Sequence, residues 1–199
     1  MKFRDLGEFV KFLEGKGELV RISTPVSSEL EITEIVDRVV KQGGPALLFE
    51  NVDGSDFPVL VNIFGSEKRA AWALGVEDLN ELGKKVEKLL GLAKGPPAGF
   101  IDKARTLMDL VKIAGFPPKH VRNAPSQEEV LLGNEADLNK LPILKCWPLD
   151  AGRFITLPLV ITKDPISGVR NVGMYRMQVY DGQTAGMHWQ THKVGTHHE

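Results

Sequence analysis

The segment from Ser28 to Phe49, SELEITEIVDRVVKQGGPALLF, decides the fold of the first half of the chain. Its apolar residues recur at helical spacing from Leu30 to Val40, and Ser28 stands where a helix would be capped. Gly43-Gly44-Pro45 then ends the helix, because glycine and proline favour turns. The apolar run Ala46–Phe49 predicts a short buried strand. The segment is therefore a helix that leads into a strand.

Strands and helices alternate on both sides of this segment. Asp5 is predicted to cap a first helix, which Gly15 and Gly17 end, and residues 18–22 alternate like a strand. Residues 59–63 predict a second buried strand. Further helices are expected over residues 66–74, 78–92 and 100–114. This alternation predicts an α/β module.

The pattern changes in the second half of the chain. From Gln127 onward, strand-like stretches over residues 157–163, 169–180 and 184–191 are separated by turn residues, and residues 164–168 form a typical turn sequence. Short strands joined by turns predict an antiparallel sheet or barrel. We therefore expect an α+β protein with a boundary between residues 115 and 126, dividing it into domains 1–115 and 116–199.

Composition excludes several classes of protein. Of the 199 residues, 42% are hydrophobic and 26% are charged, which is typical of a globular chain. A formal net charge of -1 argues against a nucleic-acid binder or a polybasic membrane-surface protein. No apolar run reaches the roughly 18–20 residues that span a bilayer, and no signal peptide is recognisable. Cys146 is the single cysteine, so we expect a reducing compartment.

Polar residues that could carry chemistry concentrate between residues 171 and 192. Arg176, Gln178 and Tyr180 alternate with apolar residues, so they share one strand face, which is either functional or simply solvated. His188, Gln190 and His192 are predicted to share a face of the next strand. The histidine spacing alone is weak evidence for a metal, and there is no HExxH or CxxC pair.

Asn171, His192 and Arg176 are the strongest candidates for a binding site. An amide oxygen and an imidazole nitrogen could hold Mn²⁺ or Mg²⁺ together with a carboxylate and phosphate oxygens. Arg176 offers a planar donor fork for a carboxylate or phosphate. Asn171 and Arg176 are an odd number of positions apart, so the strand must deviate between them if both serve one site. Gly173 is the predicted place for a bulge or for a close approach to a ligand.

At this point the chain resembles the UbiD family of carboxy-lyases, which act on aromatic and α,β-unsaturated acids. The likeness runs along the whole chain and is most specific in the segments NVGMYRMQ, residues 171–178, and WQTHK, residues 189–193. Weaker matches are GPALLFEN at residues 44–51, FPVLVN at residues 57–62 and the segment 134–142. The resemblance implies an N-terminal α/β module followed by part of a split β-barrel of the flavin-binding type.

The resemblance also implies a cofactor, prenylated FMN, and a set of site residues. Asn171 and His192 match the family's metal ligands, which hold manganese or magnesium at the cofactor phosphate, with potassium nearby. Arg176 matches the catalytic arginine that handles the substrate carboxylate. The cofactor-binding residues implied are Asn171, Gly173, Met174, Tyr175, Arg176, Gln190, Thr191 and His192.

The sequence departs from the family pattern after His192. The third metal ligand and two catalytic glutamates have no match, and Glu199 corresponds to none of them. We therefore expect an N-terminal fragment of a decarboxylase, inactive by itself. Four histidines in the last twelve residues are read as a cut inside a larger domain, with a purification-tag remnant as the alternative.

The expected substrate is a small aromatic or unsaturated carboxylic acid, with a 3-polyprenyl-4-hydroxybenzoate of ubiquinone synthesis as one candidate. A flavin prenyltransferase would supply the cofactor, and the full-length protein would form a homo-oligomer. We expect no nucleic-acid partner and no transmembrane segment, and a cytoplasmic location that is peripheral to the membrane for a polyprenylated substrate. Two alternatives stay open: a non-catalytic flavin-binding or assembly module, and a metal-binding module built on His188, His192, His197 and His198.

Overall fold

The structure, a computed structural model, describes residues 3–92 and 121–198. One compact unit consists of Phe3–Ser66 and the chain from Leu132 onward, and the other contains the described residues of Glu67–Leu131. The predicted helix over residues 100–114 and the first half of the predicted boundary at 115–126 lie outside the described residues. The division into domains 1–115 and 116–199 stays a prediction. The two compact units have other bounds, because the chain leaves the first-named unit after Ser66 and returns to it at Leu132.

The first helix, α1, spans Leu6–Gly15 and begins as predicted. Asp5 is its N-cap, and its Oδ1 atom accepts a hydrogen bond from the backbone N–H of Glu8 at 2.8 Å. This bond satisfies one of the amide groups that a helix leaves unpaired at its start. Phe9, Val10 and Leu13 form the buried face.

A three-stranded sheet with a helical crossover forms the core of the larger unit. Strands β1 (Leu19–Ile22) and β2 (Ala46–Phe49) are parallel and are joined by helix α2 (Glu31–Lys41). Strand β3 (Val59–Val61) pairs antiparallel with β2, which lies in the centre. Every residue of β2 is buried, as expected of a continuous apolar run in a parallel pair.

The predicted cap of α2 at Ser28 is wrong by two residues, since the N-cap is Leu30. The helix begins at Glu31, after Leu30 in a left-handed conformation (φ 67°). The backbone before it pairs with another segment, since Leu30 N–H donates to the carbonyl of Lys145 and Lys145 N–H donates to the carbonyl of Ser28. The Glu31 carboxylate in turn accepts from the N–H of Ser27 at 2.7 Å. A long-range pairing therefore overrides the local capping signal.

The smaller unit contains helices α3 (Glu67–Ala73) and α4 (Asn80–Leu92), both close to their predicted bounds. Ala71, Trp72 and Val76 are buried there. Within residues 3–92 and 121–198, no helix is both long and apolar enough to cross a membrane.

The second half of the larger unit is built from short antiparallel strands. They are β4 (Arg153–Ile155), β5 (Leu159–Lys163), β6 (Arg170–Met174), β7 (Met177–Val179) and β8 (Ala185–Met187), followed by helix α5 (Val194–His197). One sheet has the order β4-β7-β8, and β5 pairs with β6 in a separate hairpin. Together with the first half, these strands confirm the predicted α+β class. They do not close into a barrel within the part of the chain that the structure describes.

The β5–β6 turn is formed as the sequence predicts. Asp164 Oδ1 accepts hydrogen bonds from the N–H groups of Ile166 and Ser167, both at 2.8 Å, and Gly168 adopts a positive φ of 70°. These bonds, that of Ser167 first, hold the pKa of Asp164 below its ordinary value because they stabilise the ionised carboxylate.

Candidate functional site

A cavity of about 480 Å³ lies where the chain passes from β6 to β7. This volume falls within the range of roughly 300–1,000 Å³ that is usual for small-molecule sites. Most of its lining comes from three stretches: the residues after β4, the β6–β7 junction and the segment after β8. The lining residues are Thr156, Leu157, Met174, Tyr175, Arg176, His188, Gln190 and Lys193.

The strand breaks between Asn171 and Arg176, but not at the predicted residue. Gly173 stays in regular register within β6, opposite Val160. The break comes at Tyr175 and Arg176, which belong to neither β6 nor β7. The Arg176 carbonyl accepts a hydrogen bond from His188 N–H at 3.0 Å, which ties the break to the segment after β8.

Tyr175 is the buried anchor of this junction, with 4% of its surface exposed. Its Oη accepts a hydrogen bond from Gly195 N–H at 2.8 Å, and its ring packs edge-on against Trp189 with centroids 5.1 Å apart. A Cβ on Gly173 would lie 2.4 Å from Tyr175 Cε2, so Gly173 makes room for the ring. The predicted close approach at Gly173 is therefore to a side chain of the protein itself.

Arg176 lines the cavity, and its side chain is about half exposed. Its guanidinium carbon lies 3.8 Å from the centroid of the Phe154 ring. Its Nη2 is 3.9 Å from Asp150 Oδ1, at the outer limit of an ion pair. Stacking on the ring leaves the edge N–H groups of a guanidinium available for a ligand.

Lys193 supplies a second cation at the same cavity. Its Nζ lies 5.3 Å from the Tyr175 ring centroid and 3.4 Å from the Met174 carbonyl oxygen, to which it donates. Met174 and Leu157 contribute apolar side chains to the lining, so the site combines two cations with an apolar wall.

The structure places the predicted site residues in two groups. Met174, Tyr175, Arg176 and Gln190 line the cavity, whereas Asn171, Gly173, Thr191 and His192 are not among its described lining residues.

Asn171 lies further back on β6. Its Nδ2 is 3.5 Å from Thr162 Oγ1, and this hydroxyl shares a 2.9 Å hydrogen bond with His198 Nδ1.

The predicted strand face of His188, Gln190 and His192 is wrong. Strand β8 ends at Met187, and the chain then enters a turn in which Lys193 N–H donates to the Gln190 carbonyl. His192 is exposed in this turn. Among the described residues, no three His, Cys, Asp or Glu side chains cluster as a metal site. By ligand type, the Asn171 amide and the His192 imidazole fit Mn²⁺ or Mg²⁺, but they are two ligands and not a complete set.

Sequence reasoning missed Thr156, Leu157 and Phe154, and assigned no role to Lys193. Leu157 carried a sequence signal, since it is an apolar residue followed directly by Pro158. In the structure it is 65% exposed. Phe154 carried none, because its contact with Arg176 depends on the pairing of β4 with β7.

A cavity with a guanidinium, an ammonium and an apolar wall has the chemical groups that an organic anion requires. Two family models match the chain. The 3-octaprenyl-4-hydroxybenzoate carboxy-lyase N-terminal domain matches residues 10–89, and the 3-octaprenyl-4-hydroxybenzoate carboxy-lyase Rift-related domain matches residues 119–199. The chain belongs to the UbiD family of carboxy-lyases, which confirms the resemblance.

Individual relatives agree with this assignment. An uncharacterized protein of Aquifex aeolicus is 52% identical over 199 residues, which cover 99% of this chain and 40% of the relative. An evolved dimeric form of the UbiD-class enzyme HmfF from Pelotomaculum thermopropionicum, in complex with prFMN, is 30% identical with a TM-score of 0.74. That match covers 98% of this chain and 40% of HmfF.

Vanillic acid decarboxylase of Sedimentibacter hydroxybenzoicus, in closed form, is 27% identical with a TM-score of 0.71, over 93% of this chain and 37% of the enzyme. The chain thus spans about two fifths of the length of the relatives it matches.

Proposed function

We propose that this chain is the N-terminal part of a prenylated-FMN-dependent decarboxylase of aromatic or α,β-unsaturated acids. The observation that carries the proposal is the position of Arg176, whose guanidinium is stacked on Phe154 at a cavity of ligand size. Family membership, and the flavin bound in the HmfF structure, support the same function.

Arg176 would bind and orient the substrate carboxylate. A guanidinium donates two parallel N–H bonds to a carboxylate, and the Phe154 ring lies beside this guanidinium at 3.8 Å. Leu157 and Met174 would shield the reacting carbon from water. When bound, prenylated FMN would supply the electron-poor ring system that accepts the electron pair left on carbon as CO₂ departs.

The cofactor would lie against the residues from Gly173 to Arg176 and from Gln190 to His192. Four residues of the predicted cofactor set line the cavity already, which supports this placement: Met174, Tyr175, Arg176 and Gln190. Thr191 and His192 follow Gln190 directly in the chain.

A divalent cation, Mn²⁺ or Mg²⁺, belongs to the proposal as the neutralising partner of the cofactor phosphate, with K⁺ as an accessory ion. The Asn171 carbonyl and the neutral His192 imidazole are the ligands this chain would supply. The remaining positions would be filled by phosphate oxygens, water and a carboxylate outside this sequence.

The substrate proposal is an aromatic or α,β-unsaturated carboxylic acid, with the 3-polyprenyl-4-hydroxybenzoate of ubiquinone synthesis as one candidate. The two catalytic glutamates implied by the family have no match in this sequence, so the 199-residue chain by itself would not release CO₂. Without these glutamates the chain would lack its general acid, which contributes roughly 10²–10⁴-fold to the rate of such a reaction. We also propose a cytoplasmic protein that receives its cofactor from a flavin prenyltransferase and forms a homo-oligomer at full length.

The test loads the purified chain, and a form extended through the downstream glutamates, with prenylated FMN and Mn²⁺. Flavin retained after gel filtration and CO₂ released from 4-hydroxybenzoate or a cinnamate-type acid are measured for each. We expect both forms to retain flavin and only the extended form to release CO₂.

The matched variants are Arg176→Ala and Arg170→Ala, the latter at the exposed start of β6. In the extended form, Arg176→Ala should abolish turnover with flavin retained, and Arg170→Ala should leave both unchanged. Flavin retention without turnover in the extended form would favour the non-catalytic module instead. CO₂ release by the 199-residue chain would contradict the proposed need for the glutamates.

A further inference from the structure

Lys193 contacts Tyr175, the buried residue at the junction of β6 and β7. Its Nζ lies over the Tyr175 ring and donates to the Met174 carbonyl, so a lysine ammonium that would otherwise move freely is localised at the lining. Tyr175 is itself buried and bonded to Gly195. These two contacts place the exposed Lys193 side chain at the cavity lining.

The charge of the cavity lining is one-sided. Arg176 and Lys193 bring two full positive charges, and none of the described lining residues is a carboxylate. Within residues 3–92 and 121–198, no carboxylate lies within ion-pairing distance of Lys193, and Arg176 has only the long contact to Asp150. Two cations that share a cavity without neutralising anions attract a ligand with more than one negative charge.

The two cations differ in what they recognise. Arg176 presents a planar donor fork, which binds a carboxylate or a phosphate, whereas a lysine ammonium is a compact point charge that binds phosphate well. Because the proposed function assigns Arg176 to the substrate carboxylate, Lys193 is the cation left for a phosphate. Leu157 and Met174 supply apolar surface for a ring system in the same cavity.

We propose that Lys193 binds the phosphate monoester of the flavin cofactor, while Arg176 is left for the carboxylate of the acid. This assignment rests on the proposed function, and it adds to that function a phosphate contact made by the protein itself. Since a hydrogen bond to a charged group contributes about 1.5–3 kcal/mol, loss of Lys193 should weaken FMN binding by about tenfold or more.

The experiment compares FMN with riboflavin, which lacks the phosphate, in titrations of the chain monitored by flavin fluorescence. The variants are Lys193→Met and Lys193→Arg, with Lys163→Met on exposed β5 as the control. We expect the unmodified chain to prefer FMN by about tenfold, and Lys193→Met to bind FMN no better than riboflavin. Lys193→Arg should restore much of the preference, and Lys163→Met should keep all of it.

Equal loss of FMN and riboflavin binding in Lys193→Met would overturn the assignment, since it would indicate a packing role. Equal binding of both flavins by the unmodified chain would overturn it as well, with flavin binding left standing.

If the chain binds neither flavin, the proposed function fails. Binding of inorganic phosphate then tests whether Lys193 forms a phosphate site. Broadening of its ³¹P resonance by the unmodified chain but not by Lys193→Met supports a phosphate site. Equal broadening by both proteins, or by neither, refutes it.

Discussion

The guanidinium carbon of Arg176 lies over the Phe154 ring, 3.8 Å from its centroid, next to the pairing of β4 with β7. This contact joins a residue that the sequence marks as functional to one that it does not mark at all. It holds the Arg176 guanidinium beside the ring, and the position of the guanidinium determines where a carboxylate can bind.

Phe154→Leu should weaken carboxylate binding without unfolding the protein. A cation–π contact at an exposed site is worth about 0.5–1 kcal/mol, so we expect a loss of roughly two- to fivefold in affinity for 4-hydroxybenzoate. NMR titration of the chain measures it. In an Arg176→Ala background the same substitution should have no further effect, and an undiminished effect there would show that Phe154 acts by another route.

Gly173→Ala should destabilise the protein because the added methyl group has no room. Its Cβ would lie 2.4 Å from Tyr175 Cε2, and the buried ring cannot move away. Overpacking of this kind costs about 1–3 kcal/mol in the free energy of unfolding, which urea denaturation measures. Gly15→Ala in α1 is the control, since a Cβ there meets nothing within 4 Å. Equal stability of Gly173→Ala and the unmodified chain would mean that Tyr175 is not held as described.

The sequence alone predicts the elements well where local signals and packing agree. The Asp5 cap, the buried strand at Ala46–Phe49 and the Asp164–Gly168 turn all occur as expected, because each depends on residues within a few positions of one another. The predicted start of α2 is wrong because Lys145, far away in sequence, pairs with the backbone of Ser28 and Leu30.

The candidate site is predictable in part for the same reason. The spacing of Asn171 and Arg176 requires a break in the strand, and the structure has one, at Tyr175 and Arg176. The position of that break depends on the burial of Tyr175 by Trp189 and Gly195, which no local pattern indicates.

Asn62 offers a way to separate backbone strain from hydrogen bonding. It adopts a positive φ of 58°, and its Nδ2 donates to the carbonyls of Pro45 at 2.8 Å and Gly44 at 3.2 Å. Asn62→Gly keeps the conformation and loses the bonds, whereas Asn62→Ala loses both. We expect Asn62→Ala to be the less stable by about 1 kcal/mol in urea denaturation, since left-handed backbone costs alanine about 1–2 kcal/mol. Equal losses would attribute the whole effect to the hydrogen bonds.

Asp164→Ala should change the acid limb of the stability curve. The backbone N–H groups of Ser167 and Ile166 lower the pKa of this carboxyl in the folded protein. A lowered folded-state pKa means that its stabilisation is present above the unfolded-state pKa and is lost as the pH falls through the folded-state value. We therefore expect the variant to have a lower melting temperature than the unmodified chain at pH 6, and the difference to disappear as the pH falls through the lowered folded-state pKa of Asp164. A difference that is constant from pH 6 to pH 2 would rule out the carboxylate as the cause.

Metal binding distinguishes the proposed cofactor clamp from a histidine-rich site near the end of the chain. The two candidate ligand sets are neighbours, because Asn171 Nδ2 and His198 Nδ1 both contact the Thr162 hydroxyl. If the clamp is correct, Mn²⁺ should increase FMN retention, and His192→Ala or Asn171→Ala should abolish that increase while His197→Ala leaves it unchanged. Isothermal titration with Mn²⁺ in the absence and in the presence of FMN measures the affinity for the metal alone and its increase by the flavin. Tight binding without flavin that survives His192→Ala but not His197→Ala would assign the metal to the terminal histidines, because only the clamp depends on the cofactor phosphate to complete its ligands.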